Sequence, residues 1–222
     1  MKTHIPFLFF RKTITLGPEQ APLPPGYTLS FWRPGRFRIR PEGFPAMPFL
    51  VWGWCHALGV FATRDYGIML IFRRGRLVHR TCLLPAHFRF PFMGPGDLQA
   101  AGIWTHPDHR GTGLGLVALR AVFHQLHGSG RTVWYMVRED NNASIRLAEK
   151  AGFQPWGRGR KLASPGLGML GAFHITEGPS GRPSAIWPGS WYACSAPVPK
   201  ASGSAAGLGA GPGRGRPPSG CG

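Results

Sequence analysis

Acidic residues are scarce in this 222-residue chain: nine Asp and Glu stand against 26 Lys and Arg, a formal net charge of +17. Such a field favours acidic partners, among them phosphates, nucleic acid and anionic membrane surfaces. A GC-rich genome, which enriches Arg, Gly and Pro by mutation, leaves the same imprint. Cysteine is sparse too. Cys55, Cys82, Cys194 and Cys221 show neither C-x-x-C spacing nor a neighbouring histidine pattern. That argues against a zinc site or a disulfide framework, so no metal is expected and reduced thiols in a cytoplasmic protein are the default. Long hydrophobic runs are also missing. The apolar stretch Ile5 to Phe10 is cut off by Arg11-Lys12, too soon for a secretory signal. Residues 44–62 carry no formal charge, but Pro45, Pro48, Gly53 and Gly59 leave only Phe49 to Phe61 as a continuous helix. A buried or substrate-side helix is the main reading there, and an interfacial helix using Trp52 and Trp54 the alternative.

What is present suffices for one domain: 43% of residues are hydrophobic. Residues 1–26 end in Pro- and Gly-rich sequence and read as a loosely held arm. Tyr27 to Trp32 alternates like a strand. Tyr66 to Phe72 and Leu77 to Leu84 flank Arg73-Arg74-Gly75-Arg76, the pattern of a β-hairpin. Pro85 to Gly96 is an aromatic, proline-rich connection, and Asp97 to Thr105 reads as the next strand. Thr132 to Val137 is a β-branched and aromatic strand. Asn141 or Asn142 caps a following helix that Gly152 ends. Phe153 to Leu162 and Leu167 to Thr176 supply two weaker strands. From 178 to 222 the chain is mostly Gly, Pro, Ala and Ser without an acidic residue, and such a tail is expected to be disordered.

The most informative stretch joins the strand Asp97 to Thr105 to a helix whose Leu116, Leu119, Phe123 and Leu126 share one face. The connection is His106-Pro107-Asp108-His109-Arg110-Gly111-Thr112-Gly113-Leu114-Gly115. A glycine-rich turn opening a helix suits an anion, because the first-turn N–H groups are free and the helix dipole favours negative charge. Arg110 adds a planar cationic fork. No Lys-Ser/Thr pair follows, so it is not a Walker loop. The dinucleotide form G-x-G-x-x-A fits Gly113 to Ala118, yet it ignores Arg110 and Gly111, and too little chain follows for two βαβαβ halves.

Arg110-Gly111-Thr112-Gly113-Leu114-Gly115 instead resembles the Gln/Arg-x-x-Gly-x-Gly/Ala loop of the GNAT superfamily of N-acetyltransferases. The run Ile103-Trp104-Thr105-His106-Pro107 resembles the family's approach to that loop. Asn141-Asn142-Ala143-Ser144-Ile145-Arg146-Leu147-Ala148-Glu149-Lys150-Ala151-Gly152-Phe153 resembles its downstream block. The resemblance implies an α/β GNAT acyl-CoA N-acyltransferase fold across residues 27–177: a mixed, mostly antiparallel sheet flanked by helices. It implies acetyl-CoA as co-substrate. The pyrophosphate would rest on N–H groups from Gly111 through Thr112, Gly113, Leu114 and Gly115 to Leu116, and the pantetheine arm would pair with the backbone of Ile103, Trp104 and Thr105. Asn141 would contact that arm, cap the helix, or do both.

Proton handling departs from the family. Ala148 stands where many members keep a tyrosine acid, and Met136 and Gln99 where others keep a glutamate base. Asp97 lies two residues before Gln99, on the same strand face, and is the candidate to take the amine proton through water. His79 and His106 are further groups able to titrate near neutrality. The expected reaction is direct attack by a primary amine on acetyl-CoA, since no cysteine in the motif supports an acetyl-enzyme. A small-molecule acceptor such as an amino sugar is favoured. A protein N-terminus or lysine, and a CoA-binding protein without transferase activity, are the alternatives. Nucleic-acid or membrane contact through the basic tail lacks a stacking platform.

Overall fold

The computed structural model describes residues 6–15, 22–35, 40, 41, 44, 46–162 and 171–178. The elements run β1 (Phe7–Thr13), β2 (Tyr27–Trp32), α1 (Ala46–Ala57), β3 (Gly67–Arg73), β4 (Arg76–Pro85), β5 (Leu98–Thr105), α2 (Leu114–Gln125), β6 (Thr132–Arg138), α3 (Asn142–Lys150), β7 (Gln154–Lys161) and β8 (Phe173–Glu177). A single turn of 3-10 helix, Pro107–His109, lies between β5 and α2. The strands form one sheet of order β2-β3-β4-β5-β6-β1-β7-β8. Every pairing is antiparallel except β5 with β6. This is the mixed α/β architecture expected from the resemblance.

β1 corrects the reading of residues 1–26 as a loose arm. It lies between β6 and β7, with Phe9 opposite Met136 on one side and Gly157 on the other. Phe9 and Phe10 are buried on opposite faces of the sheet. A strand covered on both faces has no need of polar alternation, so it appears as a short unbroken apolar run. The same run is what a truncated secretory segment looks like. The tail beyond Gly178 and residues 163–170 lie outside the described residues.

α1 starts earlier and ends sooner than the expected Phe49 to Phe61. Pro48 is tolerated because it falls in the first turn, where backbone N–H groups have no intrahelical partner. Among the described residues no helix is long and apolar enough to cross a membrane. α1 packs Phe49 against Trp32, Phe44 and Trp52 in an aromatic cluster that also contains Tyr66 and covers β3 and β4.

The main core lies on the other face, beneath α2 and α3. α2 presents Leu114, Ala118, Leu119, Val122 and Phe123 to β3, β4 and β5; of the expected face, Leu119, Phe123 and Leu126 are buried and Leu116 only partly so. A third cluster, Phe9, Phe90, Met93, Trp134 and Phe173, lies beneath the proline-rich connection 86–96. That connection is anchored by Arg131, whose guanidinium donates to the Gly96 carbonyl at 2.6 Å and pairs with Asp65 at 2.8 Å.

Candidate active site

β5 and β6 are held together only at their first residues. Their register runs Leu98↔Val133, Gln99↔Trp134 and Ala100↔Tyr135 and then stops. Beyond it β5 stays paired to β4 as far as Thr105, and β6 stays paired to β1 as far as Arg138. The two parallel strands therefore part like a V, and backbone groups of Ala101–Thr105 and Met136–Arg138 face an unfilled seam. The cause is local. β5 carries a bulge where its pairing shifts between Arg80 and Cys82 of β4, and Gly102 there has φ +57°, a conformation side chains disfavour. An extra residue on one strand bends it and increases its twist, which carries the outer half of β5 away from β6.

The glycine loop stands at the mouth of that V. Gly113 is the N-cap of α2 with φ +83°, and it offers no side-chain cap. Leu116 and Val117 N–H donate back to the Gly113 carbonyl, whereas the N–H groups from Gly111 to Gly115 have no backbone acceptor among the described residues. A Cβ at Gly111 or Gly113 would meet nothing within 4 Å, so the space over these donors is open. Arg110 is exposed and folds back, its Nε donating to the Thr105 carbonyl at 3.3 Å. Thr112 Oγ1 donates to the His109 carbonyl at 2.7 Å, and the Tyr27 hydroxyl pairs with His109 Nδ1 at 3.0 Å, tying the loop's approach to β2. Glu139 and Asp140, which follow β6, pair with Arg158 and Arg138, while Asp108 in the turn before the loop is exposed and lies 3.7 Å from His106. What remains is a cluster of free donors and an unpaired Arg110, an arrangement that suits a polyanion.

Asn141 lies at the end of β6, at the same edge of the sheet as Thr105 and the loop. Its side chain accepts from Ser144 N–H at 3.1 Å, so the capping role is filled. The structure thus brings together Ile103, Trp104, Thr105, the 110–116 loop and Asn141. It does not bring Asp97 to them. Asp97 precedes β5, at the end opposite the loop, and its Oδ2 accepts from Gly94 N–H at 2.9 Å and Trp134 Nε1–H at 2.8 Å. Those bonds fasten the 94–97 turn to β6, which is the work of a turn carboxylate rather than of a group poised at the seam.

Gln99 is buried, and its Oε1 has no hydrogen-bond partner among the described residues. Ala148 is fully buried in the core beneath α3, and Met136 packs against the cluster around Trp134. Tyr135 points into the main core, hydrogen-bonded to Ser144, and burial raises its pKa.

Histidine 79 differs from its expected role. It is completely buried on β4, with Nδ1 2.8 Å from Thr105 Oγ1 and Nε2 2.9 Å from Thr81 Oγ1. Burial pushes its pKa down to about 4, so it stays neutral where a base would be needed. It lies directly beneath the start of α2, since a Cβ on Gly115 would stand 3.7 Å from its Cε1. Its function is to fix the end of β5 against β4. Sequence reasoning identified His79 but not this network; alternation along His79 and Thr81 was the available signal.

Residues 96–159 match the FR47-like protein family. No curated protein matches this sequence. Among solved structures, the tandem GNAT protein from the clavulanic acid biosynthesis pathway aligns with a TM-score of 0.51 at 17% identity, covering 71% of this chain and 52% of that one. A GCN5-related N-acetyltransferase from Sphaerobacter thermophilus aligns at 0.49 and 19% identity, covering 70% and 50%. The chain spans half to about three-fifths of the length of such structures (50% to 62%).

Proposed function

We propose that this chain, with its FR47-like segment at 96–159 and its GNAT-like fold, is a GNAT acyltransferase that transfers an acetyl group from acetyl-CoA to a small primary amine. The observation that carries the reading is the V between β5 and β6 with the donor-rich start of α2 at its mouth. Free N–H groups, open space and an unmatched Arg110 fit the cofactor's pyrophosphate. The unpaired edge of Ile103, Trp104 and Thr105 fits an arm that pairs like a strand, with Asn141 across the seam.

On this reading acetyl-CoA supplies an activated acyl carbon as a thioester. A backbone N–H on the outer half of β5 stabilises the carbonyl oxygen as it gains charge. The amine nitrogen forms its bond to that carbon, the carbon–sulfur bond breaks with its electron pair going to sulfur, and the ammonium proton passes to water while the thiolate takes one up. Asp97, Gln99 and His79 are each unsuited to accept the proton, so on this reading it passes to water or to His106 at the end of β5. Loop 106–116 and the His79–Thr105 bond keep the strand edge fixed during the reaction.

Release of free thiol over a panel of amines tests the activity. Gly113→Glu tests the site, since it puts a negative side chain where the pyrophosphate is to sit. A folded Gly113→Glu protein that keeps its acetyl-CoA affinity would refute the loop assignment. Acetyl-CoA binding without turnover on any amine would favour a non-catalytic CoA-binding protein.

A further inference from the structure

We propose that the acceptor amine carries a carboxylate close to its nitrogen and that Arg80 of β4 is the residue that binds it. The inference rests on the acyl-transfer reading above and names its acceptor class. Arg80 is directly opposite Trp104 in the β4–β5 pairing, one strand away from the edge that borders the seam. Neighbouring His79 and Thr81 turn toward α2, so Arg80 projects from the other face, the face on which Cys82 joins the aromatic cluster of α1. There its guanidinium carbon lies 5.7 Å from the Phe44 ring centroid and 5.8 Å from that of Trp104.

Half-buried in this way, Arg80 has no matching anion among the described residues. Its Nε is buried and has no hydrogen-bond partner among the described residues. The carboxylates that form ion pairs among the described residues are taken by Arg131, Arg138, Arg158 and His106. A buried N–H on a permanent cation is costly to leave unsatisfied. A planar donor fork held between two rings is instead preorganised for a carboxylate.

The chemistry gives the same answer. A carboxylate beside an amine holds the ammonium form by its field, and only the free amine attacks. Pairing that carboxylate with Arg80 cancels the field at the nitrogen, which favours loss of the proton in a site with no carboxylate base. A simple alkylammonium would meet only the uncompensated charge of Arg80 and be repelled. An amino sugar without an acid group is disfavoured for the same reason.

Thiol release with acetyl-CoA should be measured on α- and β-amino acids, each alongside its decarboxylated amine, an aminoalkylphosphonate, and a peptide with a free N-terminus. The expected result is a preference for amino acids over their decarboxylated partners. Arg80→Met should collapse that ratio by roughly 10- to 100-fold, the usual effect of losing a charge-assisted pair, with Arg80→Lys partly restoring it. Acetyl-CoA affinity and melting temperature of Arg80→Met should not fall, because Met replaces an unmatched cation with an apolar chain. Turnover that is indifferent to the carboxylate, that prefers the phosphonate or the peptide, or that keeps its ratio in Arg80→Met overturns this inference alone. Loss of acetyl-CoA binding and turnover in the wild-type protein overturns the acyl-transfer reading, and this inference with it.

Discussion

Acid should loosen this protein through one imidazole. His79 has no solvent exposure, and its pKa falls from 6.5 to about 4 on folding. The unfolded chain therefore takes up a proton first as the pH drops, and stability present above pH 6.5 is lost on the way to pH 4. The contribution is RT ln[(1 + 10^(6.5 − pH))/(1 + 10^(4 − pH))], which gives a loss of about 1 kcal/mol between pH 7 and about pH 5.5, and about 2.5 kcal/mol by about pH 4.5. His87, buried against Phe61 and Phe90 with a lowered pKa, adds in the same direction. The two are separated with His79→Gln, which keeps His87. Guanidinium denaturation of both proteins at these pH values reads the stability of each. At pH 7 the variant should be weaker by about 1–3 kcal/mol, because hydrogen bonds to Thr81 and Thr105 are broken. The gap should close as the pH falls, since only the wild type pays for protonating residue 79. Parallel stability curves from pH 7 to about pH 4.5 would refute the assignment of a buried neutral histidine.

Two further outcomes follow from the same geometry. Asp97→Asn should cost about 1–2 kcal/mol of stability through its weakened bonds to Trp134 and Gly94, while turnover per folded molecule stays within a few-fold of wild type; a hundredfold loss of turnover, shrinking as pH rises, would restore Asp97 as the proton acceptor. Phe9→Ala should cost about 3–5 kcal/mol, the price of a cavity beside Phe92 and Trp134, and a shift in melting temperature measures it; a near-neutral result would show that β1 is not an integral strand.

The parts of the site legible in the sequence are those in which the backbone is the actor. A loop of Arg110, Gly111, Gly113 and Gly115 ahead of an apolar helical stripe encodes its own conformation, and β5, α2, β6 and α3 follow in unbroken order. Other features depend on partners distant in sequence. β1 could not be read because its two neighbours begin at Thr132 and Gln154, and nothing within residues 1–26 specifies that seam. The titration of His79 is set by what covers it, and a histidine in a strand looks the same buried or exposed. Arg80 is one of many arginines in the sequence, and its lack of an anion among the described residues emerges only once its surroundings are assembled. Asp97 shares a strand face with Gln99 as its spacing suggests, yet the indole of Trp134, 37 residues onward, occupies its carboxylate.

The central position of β1 also has a consequence for biosynthesis. Lys12, just inside β1, donates to the carbonyl of Ala151 across a separation of 139 residues. A ribosome adding ~5–20 residues per second leaves β1 waiting roughly seven to thirty seconds before β6 and β7 have both been made. Until then a segment containing Leu8, Phe9 and Phe10 lacks at least one of its strand partners, and it is the kind of apolar strand that chaperones hold and misfolded chains share. Slowing translation across residues 132–161 should therefore lower the yield of soluble protein more than slowing it elsewhere.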